Sequence, residues 1–221
     1  MIEEEIRSVF EKDPDVLYGF ADIYYSEYKK DYASALIIAV PLPMQLTMDD
    51  YREELFDEDL ITARSRMDRL VASVEEILQN HDVKYWVPPL AQTNETELRA
   101  LFSFKTAATH AGIGWFGKND VIITEQYGPR IRLAAVLIDA PFNYGERITE
   151  SRCPDDCMKC VEACPCKAIK GEQWSAGVTR DKLIDYHKCN KMRSAFIPKL
   201  GRKNACGLCF AACPFGTKRQ G

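Results

Sequence analysis

No cysteine occurs before residue 153, and all nine then crowd into the last part of this 221-residue chain. An odd count, confined to one end of a chain this long, argues against the disulfide framework of a small secreted domain. There is no run of eighteen apolar residues, which excludes a membrane-spanning helix. The opening "MIEEEIRSVFEKD" is acidic and lacks the basic-then-apolar order of a secretory leader, so a cytoplasmic protein is expected. Low-complexity linkers and internal repeats are missing from the front of the chain. Positive charge is scarce there too: residues 1–150 carry 15 Lys+Arg against 27 Asp+Glu, whereas residues 151–221 carry 14 against 6. A basic tail suits nucleic acid, or it offsets the charge of thiolates bound to a cluster; the second reading is favoured.

What is present is an ordinary globular composition, 46% hydrophobic and 28% charged, in a chain long enough to bury a core. A short charged helix is expected near 2–12. "ASALIIAV" (33–40) reads as a strand buried on both faces, stopped by Pro41. Thr47 with Asp50 resembles a helix start, and Met67, Leu70, Val71, Val74, Ile77 and Leu78 recur at helical spacing. "VKYWV" (83–87) is a second strand. Asn94 with Glu97 opens a helical stretch that runs to about His110 and stops at Gly112. "VIIT" (121–124) and "IRLAAVLI" (131–138) flank "EQYGPR" as an expected hairpin, with Tyr127 and Arg130 as turn residues. These elements predict an α/β or α+β domain over 1–147 and a separate cysteine unit over 148–221.

The cysteine unit holds two similar blocks, "CMKCVEACP" (157–165) and "CGLCFAACP" (206–214), each C-x2-C-x3-C-P with one further cysteine upstream. That approximates the bacterial run C-x2-C-x2-C-x3-C-P, in which the fourth cysteine ligates the other cluster. Two-residue gaps let a tight turn aim thiolates at one cube, and the three-residue step starts a helix that carries the next thiolate to its neighbour. Crossed ligation then predicts a ferredoxin-like domain with two [4Fe–4S] clusters. One would sit on Cys153, Cys157, Cys160 and Cys213, the other on Cys164, Cys189, Cys206 and Cys209. Cys166 is left over as a free thiol. Zinc on C-x2-C pairs is the competing reading. Val161, Ile169, Phe210 and Phe215 are expected to supply apolar packing around the sulfurs.

"GIGWFG" (112–117) satisfies G-x-G-x-x-G, but a helical pattern precedes it and a strand follows, the reverse of a dinucleotide fingerprint. A different pattern fits. "KTAATHAGIGWFGKNDVIITEQYGPRIRLAAVLIDAPF" (105–142), followed by "CVEACPCKAI", the isolated Cys189 and "CGLCFAACPFG", resembles the epoxyqueuosine reductase family, cobalamin-dependent iron–sulfur enzymes related to the reductive dehalogenases. The resemblance implies a nitroreductase-like α/β domain beside the ferredoxin-like one. It implies a corrinoid (cobalamin) that receives electrons through the two clusters, and an electron donor such as ferredoxin or flavodoxin. It also places Lys105, Gly112, Gly114, Trp115, Gly117, Lys118 and Asn119 at the cofactor, the glycines letting backbone approach a flat ring. Two departures stand out. The family's catalytic aspartate is missing from "ETELRALFSF", where Glu97 is the nearest carboxylate, and His110 beside the loop is the other candidate proton donor. The chain also ends just past the last cysteine block, so a short-form relative without the family's C-terminal helical-repeat domain is expected. Both weaken tRNA as a partner and leave a small-molecule or nucleotide substrate open. Three functions follow: an iron–sulfur oxidoreductase, a non-catalytic ferredoxin-type electron-transfer protein, or a corrinoid-handling chaperone.

Overall fold

A computed structural model describes residues 1–89, 98–195, 198 and 206–217. It is a mixed α/β structure that divides into two compact units. The first comprises residues 1–41, 62–113 and 131–148; the second comprises 42–61, 114–130 and 149–221. The last of these junctions falls at 148/149. Two earlier stretches, 42–61 and 114–130, are counted with the cysteines as well.

The first unit is built on a four-stranded antiparallel sheet of order β1-β2-β6-β3. Its strands are β1 (Leu17–Asp22), β2 (Ser34–Pro41), β3 (Tyr85–Trp86) and β6 (Ile131–Ile138). β2 lies between β1 and β6, and Ala35 to Val40 are fully buried, as an unbroken apolar run requires of a strand covered on both faces. Strand β1 was not legible: "LYGFAD" has neither clean alternation nor an apolar run, and it pairs because β2 offers it a complete edge. Helix α1 (Ile2–Glu11) buries Ile6 and Phe10. The long helix α2 (Glu53–Asn80) buries Met67, Leu70, Val71, Val74 and Leu78 at the expected spacing, while Ile77 stays half-exposed. The Thr47 amide and hydroxyl donate to Asp50 in a local turn, and the helix itself starts at Glu53. Helix α3 (Phe104–His110) is shorter than the expected stretch; Ser103 caps it, accepting from the Thr106 amide at 3.2 Å. Glu97 and the helix start at Asn94 lie outside the described residues.

The expected hairpin between 121–124 and 131–138 does not form. Strand β5 (Ile122–Ile123) pairs instead with β4 (Trp115–Phe116) in a separate two-stranded sheet of the second unit. The physical reason is a tighter local closure. The Gly117 amide donates to the Val121 carbonyl, and Asp120 takes φ 59° to turn the chain back. A second tight turn, bridged between Thr124 and Gly128, then ends the segment before β6 begins. Among the described residues this unit also has the short helices α4 (Lys159–Glu162), α5 (Arg180–Leu183), α6 (Tyr186–Ser194) and α7 (Leu208–Ala211). Among the described residues no helix is long and apolar enough to cross a membrane.

Candidate metal centre

The two cysteine blocks adopt the same local structure. In each, a single helical turn starts just ahead of the second cysteine of C-x2-C, and the chain leaves through Cys-Pro. The Ala163 amide bonds the Lys159 carbonyl and the Cys164 amide the Val161 carbonyl; Ala212 and Cys213 repeat both bonds on Leu208 and Phe210, the last bond of each pair at 3.2 Å. The three-residue step is thus a helical turn in both blocks. Gly207 opens the second block at φ 73°, and a Cβ there would meet the Phe56 ring at 2.6 Å, so only glycine fits.

None of the nine cysteines forms a disulfide, and all are half-buried except Cys213, which is buried. Burial pushes Cys160 up to about 12, and Cys213, Cys153 and Cys157 add to the effect. It pushes Cys213 up to about 11, with Cys153 and Cys157 again among its neighbours. Cys189 rises to about 11 through burial and, against the opposing charge of Arg193, through Cys206, Cys166 and Cys164. Cys206 is raised by burial with Cys164 as its sulfur neighbour. Cys209 is raised well above the ordinary range by burial, then by Cys206 and Cys189, and after them by Cys160 and Cys164. The mutual influences therefore fall into one set around Cys160 and Cys213 and another around Cys189 and Cys206, with Cys209 touching both. Cys164 is the exception in direction. Burial raises it, but amide donation from Ala168, at 3.3 Å, and from Ile169 outweighs this and holds it below the ordinary thiol range. The leftover Cys166 lies 3.8 Å from Cys164, sulfur to sulfur. Among the described residues no three His, Cys, Asp or Glu side chains form a single-ion site.

Apolar cover comes from Ala168, Ile169 and Ile184, against which Cys160, Val161, Cys164, Cys189 and Cys209 pack. Phe210 meets Phe56 edge-on at 5.6 Å, and Phe215 meets Trp115 at 5.2 Å. Phe56 belongs to the 42–61 stretch, whose packing explains why that stretch goes with the cysteines.

The loop after the glycines is bound to the same segments. Lys118 is 2% exposed, and its ammonium donates to the carbonyls of Asp155 at 2.8 Å and of Pro154 and Cys157 at 3.2 Å. Asn119 donates through Nδ2 to the Cys209 carbonyl at 3.2 Å. Arg130, read from sequence as a turn residue, is 1% exposed. It donates to the carbonyls of Cys213 (2.7 Å), Phe215 (2.8 Å), Leu46 (2.9 Å) and Ala211 (3.5 Å). The turn placement was right and the side chain's role was missed, because an inward guanidinium leaves no mark on spacing or periodicity. Lys118, Asn119 and Arg130 thus grip three parts of the cysteine framework: the Cys153–Cys157 loop, the Cys209 turn and the Cys213 exit.

The three glycines are accounted for by protein atoms. A Cβ on Gly112, at φ 71°, would lie 2.7 Å from the Glu146 carbonyl oxygen; on Gly114 it would strike the Ile123 carbonyl; on Gly117 it would lie 2.7 Å from the Ile123 side chain. Trp115 is 1% exposed, its ring covered by the Arg152 guanidinium at 5.3 Å. Lys105 is half-buried in the first turn of α3.

In the first unit His110 is buried in the last turn of α3, its ring 4.5 Å from Tyr25 and 5.4 Å from Tyr24. Burial first, then the Arg147 charge, lowers its pKa against the pull of Asp22. Arg147 donates to the Tyr24 hydroxyl at 2.6 Å, and the buried Tyr25 hydroxyl has no hydrogen-bond partner among the described residues. A cavity of about 490 Å³ in this unit opens between α1 and α2, lined by Ser8, Lys12, Asp13, Arg66, Arg69 and Ser73 among others. None of the residues expected at a cofactor lines it.

Compared with known proteins, the chain has the fold shared by reductive dehalogenases and epoxyqueuosine reductases. A solved reductive dehalogenase, whose structure suggests a mechanism for B12-dependent dehalogenation, matches 97% of this chain and 31% of its own, at TM-score 0.70 and 16% identity. An epoxyqueuosine reductase solved with an epoxyqueuosine-modified tRNA-Tyr stem loop matches 98% of this chain and 66% of its own, at TM-score 0.60 and 20% identity. In sequence the chain is similar to epoxyqueuosine reductases. That of Bacillus anthracis is 31% identical over 164 residues, 70% of this chain and 37% of the relative. The chain thus spans little more than a third of that relative's length. No protein-family model matches the chain.

Proposed function

We propose that this chain is an iron–sulfur oxidoreductase, similar to epoxyqueuosine reductase, that takes electrons singly from a donor of the ferredoxin or flavodoxin class and delivers them to an enclosed acceptor. The observation that carries this reading is the recurrence of one local structure in both cysteine blocks, a helical turn across the second cysteine with exit through Cys-Pro, and the apolar cover that thiols of both blocks share. The residues fit cubane clusters: thiolate donors, a dry apolar wall and buried cations to offset negative charge. When bound, the clusters supply one-electron transfer. Everything else belongs to the chain. Thiols must shed protons on loading, most readily at Cys164, where amides already favour the thiolate, and against the opposing effect of burial at Cys209. Lys118, Asn119 and Arg130 fix the backbone that aims the sulfurs, and Ile169 and Ile184 exclude water.

A corrinoid acceptor is implied by the relatives. The residues read as its cradle do not fit that part, since Gly112, Gly114, Gly117, Trp115, Lys118 and Asn119 are all taken up by protein contacts, so no step is derived through it. That observation favours a second reading, an electron-transfer protein without catalysis of its own. Under the first reading His110 takes part in proton transfer as an imidazole that is neutral at neutral pH, among Tyr24, Tyr25 and Arg147. The test is anaerobic purification with iron, sulfide, zinc and cobalt analysis and visible spectroscopy. Two clusters per chain are expected; a colourless or zinc-loaded protein overturns the reading. Retention of added cobalamin through gel filtration decides between the oxidoreductase and the simple carrier, and tight retention with no turnover would instead indicate a corrinoid chaperone.

A further inference from the structure

We infer that Lys118 and Arg130 are paired positioning cations for one of the two cluster sites, that of Cys153, Cys157, Cys160 and Cys213, and that they make it the better electron acceptor of the two. The inference rests on the iron–sulfur reading above. Both cations are almost completely buried, and neither is within ion-pair distance of a carboxylate among the described residues. Asp50 acts on Arg130 through its charge, without an ion-pair contact. A buried charge without a counter-ion costs several kcal/mol, a cost that carbonyl oxygens offset only in part. Seven carbonyls surround the two side chains, and six of them come from the cysteine segments. The shortest of these contacts joins the Arg130 guanidinium to the Cys213 carbonyl at 2.7 Å. The missing negative charge therefore belongs at the sulfurs of this site.

The other site is provided for differently. Its backbone anchor is a neutral amide, Asn119 on the Cys209 carbonyl. Two buried cations held on backbone carbonyls of the first site, against one neutral amide on the second, stabilise an added electron at the first site. One electron leaves the Cys164, Cys189, Cys206 and Cys209 site and arrives at the Cys153, Cys157, Cys160 and Cys213 site, with no proton moved and no bond broken. The protein donor then refills the former.

The test is an anaerobic redox titration, followed by electron paramagnetic resonance, on the full chain with its clusters. Wild type should titrate in two one-electron steps, and Cys213→Ser should remove the higher-potential one. Lys118→Met and Arg130→Met should each disfavour reduction in that step about tenfold, about 59 mV for a one-electron couple, and leave the other step in place. Lys118→Arg and Arg130→Lys, which keep the charge, should restore it; a purely structural role would not separate charge-keeping from charge-removing variants. Should Arg130→Met not fold, Lys118→Met carries the comparison, and if that variant loses one cluster the surviving step must be the lower-potential one. Unchanged potentials in variants with full iron, equal shifts of both steps, or loss of the lower-potential step overturn the inference while leaving the clusters intact. A wild-type protein without iron and sulfide overturns the iron–sulfur reading itself, and does so before any titration.

Discussion

Replacing cysteines in pairs tests the crossed arrangement most directly. Cys213 is 7% exposed, and its sulfur neighbours are Cys153 and Cys157 rather than Cys206 and Cys209, which precede it in its own block. Serine is nearly isosteric, so the unloaded fold should change by less than about 1 kcal/mol. Holding a cluster is another matter, because losing one of four thiolates removes a whole ligand. Each single Cys→Ser variant should fall from about eight irons per chain to about four. The pairs discriminate. Cys153→Ser with Cys213→Ser should cost no more than either alone, since both act on one site, whereas Cys206→Ser with Cys213→Ser should leave about no iron. If each cluster used only its own block, the pattern would reverse, with the second pair keeping half and the first keeping none. Iron and acid-labile sulfide per chain, measured after anaerobic reconstitution, read the answer. Half the iron surviving in Cys206→Ser/Cys213→Ser would refute the crossing.

Gly114→Ala should lower stability by about 2 kcal/mol or more, because the new methyl strikes the Ile123 carbonyl. Calorimetry should show this as a fall in Tm of about 4–8 °C. His110 is depressed from its ordinary 6.5, chiefly by burial, so the stability it contributes is fully present above that value and is lost as pH falls below it. Urea denaturation at about pH 8 and about pH 5.5 should show that loss in wild type and a flatter response in His110→Gln. Arg66 bonds both Asp13 and Asp15 on a partly exposed surface. Arg66→Ala should cost about 1 kcal/mol or less, and raising the salt concentration in the same denaturation assay should shrink the difference.

The elements that could be read beforehand are those fixed by their own residues. "SALIIAVP" is a buried strand because every side chain in it prefers to leave water, and the 67–78 face of α2 is amphipathic by spacing alone. The helical turn that the two cysteine blocks share was legible in the same way, from the repeated C-x2-C-x3-C-P spacing. Partnerships were harder to see. "VIIT" is a strand by composition, yet nothing in it says that Trp115–Phe116 will reach it before Ile131–Ile138 does. The glycine loop invited a ligand where a carbonyl of Ile123 and the backbone of Glu146 already stood. Arg130 was the largest omission. Its guanidinium reads as a surface charge until the carbonyls of Cys213 and Phe215, more than eighty residues later, are seen around it.

The chain passes from one compact unit to the other at 41/42, 61/62, 113/114, 130/131 and 148/149. No single truncation can therefore release either unit as an intact fragment. On the ribosome, residues 42–61 and 114–130 emerge well before the thiols they will lie against, and must wait exposed until synthesis is almost finished. Long-range closure of that kind is slow and prone to aggregation. Yield in a heterologous host should thus depend on how promptly iron and sulfide reach the nascent protein, more than on the strength of its promoter.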